Sequence, residues 1–276
     1  MTSDAARDFS VRGIRFRFTD PGPLPTLVFT CNVCGAGNAL HPMQLGRESR
    51  TCGTCGSSVR WRSVIQALSV GLFGKSITIR DFPCCPDLTG IGLSDWRGYA
   101  ERLSSKFAYH NTFYNDEPWL DITDPPKELD ASLDFLIASD VFEHVAPPVG
   151  RAFENSLRLL KPCGLLIITV PCTLDERTEE HYPDLHEYEI FDFNARPILV
   201  NRTIDGRWEV FEEPVFHGEE AEGGLEMRAF SENSLLRHLR EAGFEDIAVC
   251  GKACPEFGII WLKPSERPIL ARRPAR

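Results

Sequence analysis

No segment of the chain approaches the roughly 20 consecutive apolar residues that a bilayer-crossing helix requires, and the N-terminal MTSDAARDFSVRGIRFRF holds no apolar run of signal length. The expectation is a cytoplasmic protein without a membrane span. Positive charge is also in short supply. Thirty Lys and Arg face 40 Asp and Glu, a formal net charge of −10, which argues against a nucleic-acid partner because phosphate binding needs a cationic surface that releases counterions. A local basic patch stays open. No internal repeat or low-complexity tract is present, so neither a repeat array nor a disordered tail is read from this sequence. What it does have is a 42% hydrophobic composition over 276 residues, enough for a substantial core in one large domain with or without a small appendage.

Residues 1–30 are rich in Pro, Arg and Phe and read as an irregular strap. Residues 31–58 carry four cysteines, many glycines and little apolar periodicity, so hydrophobic burial alone cannot hold them. From Ser57 onward the pattern becomes helical: Trp61, Val64, Ile65, Leu68 and Leu72 share one face, with Ser57 or Ser58 as cap and Gly71 and Gly74 near the end. The first strand is either SITIRDF or LTGIGLSD, and a helix follows Ser94-Asp95 with Trp96, Tyr99, Ala100, Leu103 and Phe107 at helical spacing. FAYHNTFY and LDFLIAS read as strands, 149–160 as a helix and LLIITVP as a buried strand. Strands alternating with helices predict an α/β doubly wound sheet. Residues 173–228 break that rhythm with an acidic tract and a hairpin around Asp205-Gly206, which predicts an inserted lid. SENSLLRHLREAGF is a closing helix capped by Ser231, after which EDIAVC and FGIIWLKP are expected to pair as a terminal hairpin.

Ten cysteines in a chain this long, without a secretion signal, point to metal ligands or free thiols rather than disulfides. Cys31-Asn32-Val33-Cys34-Gly35 and Cys52-Gly53-Thr54-Cys55-Gly56 repeat C-x2-C-G. Each tight turn can aim two thiolates at one ion, and four sulfurs complete a closed tetrahedral Zn²⁺ site that supplies the missing folding energy. With no open coordination position the zinc is expected to be structural. Cys84 and Cys85 read as spectator thiols, and Cys163, Cys172, Cys250 and Cys254 as small buried hydrophobes.

Residues 133–171, LDFLIASDVFEHVAPPVGRAFENSLRLLKPCGLLIITVP, carry the most information. Asp134, Ser139, Val141, Glu143 and His144, then Leu160-Lys161-Pro162-Cys163-Gly164 and Pro171, resemble the class I S-adenosylmethionine-dependent methyltransferases of the type-11-like group, with Cys163 replacing the usual first glycine. The four-cysteine ribbon, the Arg-Trp-Arg after it, LDIT at 120–123 and the final L-x-x-L-R-E-A-G-F resemble a subgroup of that family. The resemblance implies a Rossmann-like sheet of seven strands ending in an antiparallel hairpin, a methyltransferase domain over 59–276 behind the ribbon, and S-adenosylmethionine as cofactor.

It also implies site residues. Gly90 and Gly92 stand for the family's G-x-G-x-G loop in reduced form, where glycines at a helix N-terminus let backbone N–H groups meet the cofactor's carboxylate. Ser94 is a candidate cap, and Asp95 either caps or faces the cofactor's ammonium. Glu117, in preference to Asp116, is the candidate for the ribose hydroxyls, Asp121 for the adenine edge, and Ser139 and Asp140 for the strand end that borders the crevice. Methyl transfer is a displacement governed by alignment, helped by a base when the acceptor is a hydroxyl. By family position that base is His144. His186 is the one to test in the insertion, His181 and His217 are read as surface residues, and His41, His110 and His238 as structural. The lid suggests a small molecule, a sugar or a glycan end as acceptor. An RNA- or protein-modifying enzyme docking through the ribbon, and a cofactor-free binding module, are the alternatives.

Overall fold

LDFLIAS forms the centre of the sheet because a strand covered on both faces must be apolar along most of its length. In the computed structural model, which describes residues 7–11, 14–18, 26–194, 196–216, 224–263 and 267–276, it is paired on both edges over Phe135–Ala138. Two short hairpins lead in, β1 (Arg7–Val11) with β2 (Ile14–Phe18) and β3 (Leu27–Thr30) with β4 (Gly37–Leu40). They precede helix α1 (Val59–Phe73), which is capped by the Ser58 hydroxyl and closed by Gly74 in the left-handed region at φ 64°. Then come β5 (Cys85–Leu93), α2 (Arg97–Ser104), β6 (Phe107–Thr112), β7 (Leu133–Ser139), α3 (Gly150–Leu159) and β8 (Leu160–Thr169). The insertion adds β9 (Cys172–Thr173), β10 (Glu179–Glu180), β11 (Glu187–Phe193), β12 (Arg196–Arg202) and β13 (Trp208–Phe211). The chain closes with β14 (Arg228–Ser231), α4 (Glu232–Glu241), β15 (Glu245–Val249) and β16 (Ile269–Arg272).

The main sheet has the order β15-β16-β8-β7-β5-β6. Strands β5 to β8 are mutually parallel, and β16 runs antiparallel between β8 and β15. This is the doubly wound α/β architecture expected from the alternation of elements, with two differences. Six strands form the sheet among the described residues rather than seven, because the chain after β6 runs through an exposed loop and LDIT forms a turn. The partner of β15 is Ile269–Arg272, not FGIIWLKP. Residues 259–261 instead bury Ile259, Ile260 and Trp261 against Leu45 of the cysteine-bearing segment and against Phe29 and Val59, which flank it.

The first strand is the second of the two alternatives, and it extends further than either glycine reading allowed. Gly90 and Gly92 lie inside β5, buried, and not in a loop at a helix N-terminus. SITIRDF forms a single 3-10 turn over Ile79–Asp81. The start of β7 and the family-like LKPCG segment are tied together away from the strand ends that matter for binding: Asp134 accepts from the Thr89 N–H and pairs with Lys161 at 2.6 Å. Cys163 adopts φ 64°, a left-handed conformation that favours glycine, and it is exposed, contrary to its reading as a buried hydrophobe. Cys254 is buried, while Cys172 and Cys250 are half-buried. No helix among the described residues is long and apolar enough to cross a membrane.

Candidate functional site

In an open parallel sheet, ligands bind beyond the carboxyl ends of the strands where the strand order reverses. Here that point lies between β5, which is continued by Ser94 and Asp95, and β7, which is continued by Asp140. Both Ser94 and Asp140 take positive φ, 53° and 56°, turning the chain sharply out of the sheet.

Asp140 is the hub of the β7 side. Arg47, from the loop between the two cysteine pairs, grips it with both terminal nitrogens at 2.8 and 2.5 Å. Arg60, from the first turn of α1, approaches at 3.2 Å, and the Thr169 hydroxyl donates at 2.9 Å. Ser139 receives a hydrogen bond from Arg60 at 2.8 Å and shares one with Thr169. Burial opposes ionisation of Asp140, but the two guanidiniums outweigh it and hold its carboxyl below the usual range. Glu143, three residues on and 1% exposed, is pushed well above its usual range by burial and by the charge of Asp140. The cysteine-bearing segment therefore places Arg47, and the helix that follows it Arg60, at the carboxyl end of β7, an arrangement with no periodic signal in the sequence.

The His144 ring lies over the returning segment of the insertion, with Nδ1 2.9 Å from the Leu225 carbonyl. A carbonyl only accepts, so Nδ1 carries the proton and the lone pair of the neutral ring is on Nε2. Arg228, which sequence reasoning missed, fixes this region. Its side chain is fully buried, donates to the Phe142 and Val145 carbonyls, and is paired with Glu180 at 2.9 Å. A charged residue in β14 between apolar neighbours was the available signal. His186 is exposed, with its backbone N–H on Asn201, and no described hydrogen bond or ion pair joins it to the Asp140 cluster. His181 approaches Glu226 at 3.5 Å, and His217 lies outside the described residues.

On the β5 side, Asp95 is 4% exposed and does not face the crevice. Its two carboxylate oxygens accept from the hydroxyls of Tyr99 and Tyr109. Burial pushes its pKa up to about 7, against the opposing effect of those hydroxyls. A Cβ on Gly92 would collide with the Tyr109 hydroxyl and the Asp95 carboxylate, and one on Gly90 with the Phe135 ring. Both glycines thus make room for packing within the sheet. The Ser94 N–H donates to the Thr112 carbonyl at 2.7 Å and the Asp95 N–H to the Asn111 side chain at 2.8 Å. Beyond β6, Asp116 and Glu117 are exposed, and Asp121 accepts from the N–H and hydroxyl of Thr123 with one oxygen.

The four cysteines Cys31, Cys34, Cys52 and Cys55 converge, their sulfurs all within 4.8 Å of one another. The Cys31–Cys55 and Cys34–Cys52 separations are 3.7 and 3.6 Å, matching the ~3.8 Å edge of a tetrahedron with ~2.3 Å metal–sulfur bonds. Next to them lies Arg62, 0% exposed, donating to the Ser57 carbonyl, Thr51 hydroxyl and Gly258 carbonyl, and seated over the Phe29 ring. No carboxylate pairs with Arg62 among the described residues. A buried cation is costly without a compensating anion, and the ionisable groups that face Arg62 are the four cysteines.

No family model matches the chain, and no curated protein matches it. Solved structures do resemble it in fold. One is the 1,6-didemethyltoxoflavin-N1-methyltransferase of Burkholderia thailandensis with bound 1,6-didemethyltoxoflavin and S-adenosylhomocysteine, at 15% identity and a TM-score of 0.42 over 78% of each chain. Another is an S-adenosylmethionine-dependent methyltransferase from Clostridium acetobutylicum, at 12% identity and 0.41, covering 68% of this chain and 85% of that one. A third is phosphoethanolamine N-methyltransferase 2 of Haemonchus contortus in complex with S-adenosyl-L-methionine, at 13% identity and 0.40, covering 78% and 53%.

Proposed function

We propose that this chain is an S-adenosylmethionine-dependent methyltransferase acting on a hydroxyl or other nucleophile of a small molecule, sugar or glycan end. The observation that carries this reading is the sheet itself: four parallel strands, a reversed β16 between β8 and β15, and a polar cluster at the carboxyl ends flanking the β5/β7 switch point. The donor set suits the cofactor's polarity. Acceptors for the nucleoside end, Glu117, Asp116 and Asp121, follow β6, and cations for the carboxylate end, Arg47 and Arg60, stand beside β7. The bound cofactor would supply an activated methyl group. Ser139 and Asp140 border the crevice, the 224–228 segment covers His144, and His144 Nε2 is the proton acceptor proposed for a hydroxyl substrate, with His186 the alternative.

Residues 31–58 are proposed to hold one structural Zn²⁺ through Cys31, Cys34, Cys52 and Cys55, with residues 59–276 forming the catalytic domain and 173–228 its substrate-side insertion. Metal analysis of protein purified without chelator is expected to give one zinc per chain, falling to near zero in Cys52→Ser. Titration calorimetry with S-adenosylhomocysteine tests the cofactor, with saturable one-to-one binding expected. A second reading, a cofactor-free binding module, is favoured by one observation: the Ser94 and Asp95 N–H groups are already bonded within the protein. Absence of any nucleoside binding would establish that reading and sink the first.

A further inference from the structure

If the crevice takes the cofactor, its carboxylate must be received by something other than the loop after β5. The N–H groups of Ser94 and Asp95 are committed to Thr112 and Asn111, and the space above Gly92 is filled by Tyr109 and Asp95. A cation is therefore required at this end of the sheet. Two are present. Arg47 has both terminal nitrogens on Asp140. Arg60 is placed differently: Nη1 reaches Ser139, Nε lies 3.2 Å from Asp140, and the Nε/Nη2 edge holds the Glu48 carboxylate at 2.8 to 3.1 Å. Paired edge-on contact of this kind is how a guanidinium recognises a carboxylate.

Glu48 is a poor permanent partner. Its side chain is 50% exposed on the loop between the cysteine pairs, against 14% for Arg60, and its other contact is with Arg47. A half-exposed carboxylate on a nearly buried guanidinium can be exchanged for another carboxylate without ever leaving the cation unpaired, which avoids the desolvation penalty of an orphaned buried charge. The exchange leaves the net charge of the cluster unchanged.

We propose that the Nε/Nη2 edge of Arg60 is the receptor for the cofactor's amino-acid carboxylate, and that Glu48 is the internal carboxylate occupying this edge until the cofactor displaces it. The assignment rests on the methyltransferase reading. It makes the cysteine module part of the binding site, because one residue of the exchange comes from its loop and the other from the helix that follows it.

The test compares S-adenosylhomocysteine with 5′-methylthioadenosine, a nucleoside thioether lacking the amino-acid end, by titration calorimetry on the zinc-loaded full chain. Wild type is expected to prefer S-adenosylhomocysteine by about tenfold or more, as loss of a buried charge-assisted contact implies. Arg60→Gln is expected to abolish most of that preference while binding methylthioadenosine within about twofold of wild type, since a contact absent from the truncated ligand cannot be lost. Glu48→Gln is expected to tighten S-adenosylhomocysteine several-fold and leave methylthioadenosine unchanged. Should Arg60→Gln fold poorly, Glu48→Gln decides alone. Retention of the preference in Arg60→Gln, an unchanged S-adenosylhomocysteine affinity in Glu48→Gln, or equal affinity of wild type for both ligands overturns the assignment while the methyltransferase reading stands. Failure of wild type to bind either ligand overturns both.

Discussion

The indoles of Trp61 and Trp96 lie stacked, ring centroids 4.1 Å apart and planes 7° from parallel. Trp61 opens the helix that follows the cysteine cluster, and Trp96 opens the helix that follows β5. The stack thus fastens the helix behind the cysteine module to one lip of the crevice, while Arg60 of that helix and Arg47 of the module reach the other.

The stacking should be measurable as coupling. A double-mutant cycle of Trp61→Ala and Trp96→Ala in urea unfolding is expected to give an interaction energy of about 1 kcal/mol, the range found for aromatic pairs beyond their buried area. Strict additivity of the two substitutions would show that the contact contributes nothing of its own.

Gly92→Ala places a methyl group where the Tyr109 hydroxyl and the Asp95 carboxylate now sit. Overpacking of this kind should lower the unfolding free energy by about 1 to 3 kcal/mol. Adding Tyr109→Phe removes the hydroxyl in the way and is expected to recover part of the loss. A glycine needed for backbone freedom instead would show no recovery, and Gly92 has no positive φ.

Asp95 should make stability depend on pH. Burial pushes its pKa in the folded chain up to about 7 from an ordinary 3.8, so between those values the folded state holds a proton that the unfolded chain has released. The stabilising contribution is complete below the lower value and is lost as pH rises through the upper one. The difference in unfolding free energy between wild type and Asp95→Asn is expected to shift against wild type by up to about 1.4 kcal/mol per pH unit across pH 4 to 7. Parallel pH profiles for the two proteins would contradict this.

Arg228→Lys should be costly although it preserves charge. A lysine cannot serve the Phe142 carbonyl, the Val145 carbonyl and Glu180 from one planar fork. Urea unfolding is expected to show a loss of about 3 kcal/mol or more, the scale for breaking a buried charged network. Glu180→Gln should cost less, because Glu180 is 33% exposed and solvent already screens its charge.

Much of the framework was legible in the sequence. Short, mostly apolar runs bounded by turn signals fit strands covered on both faces, which located LDFLIAS and LLIITVP. Apolar residues at helical spacing, with Ser57 or Ser58 before them and Gly71 and Gly74 near the end, located α1, and the doubled C-x2-C-G brought four sulfurs together. These signals are local, set by periodicity, capping and turn geometry. The seventh strand and the hairpin partner differ from expectation because strand pairing is decided by what covers each edge and face, and Ile259 to Trp261 are drawn away to bury Phe29.

The site was legible only in part. That SDVFEH stands at a strand end followed from the sequence. That Asp140 is gripped by Arg47, 93 positions earlier, did not. Gly90-Ile91-Gly92 looked like a loop, but became strand because Phe135, Tyr109 and Asp95 fill the space their missing side chains leave. Sequence by itself determined the elements, the class of sheet and the cysteine cluster, since these depend on interactions within a few turns of chain. Tertiary structure alone decided which charges meet, since a guanidinium and a carboxylate pair across a crevice only after the sheet, the cysteine module and the helices have been packed into register.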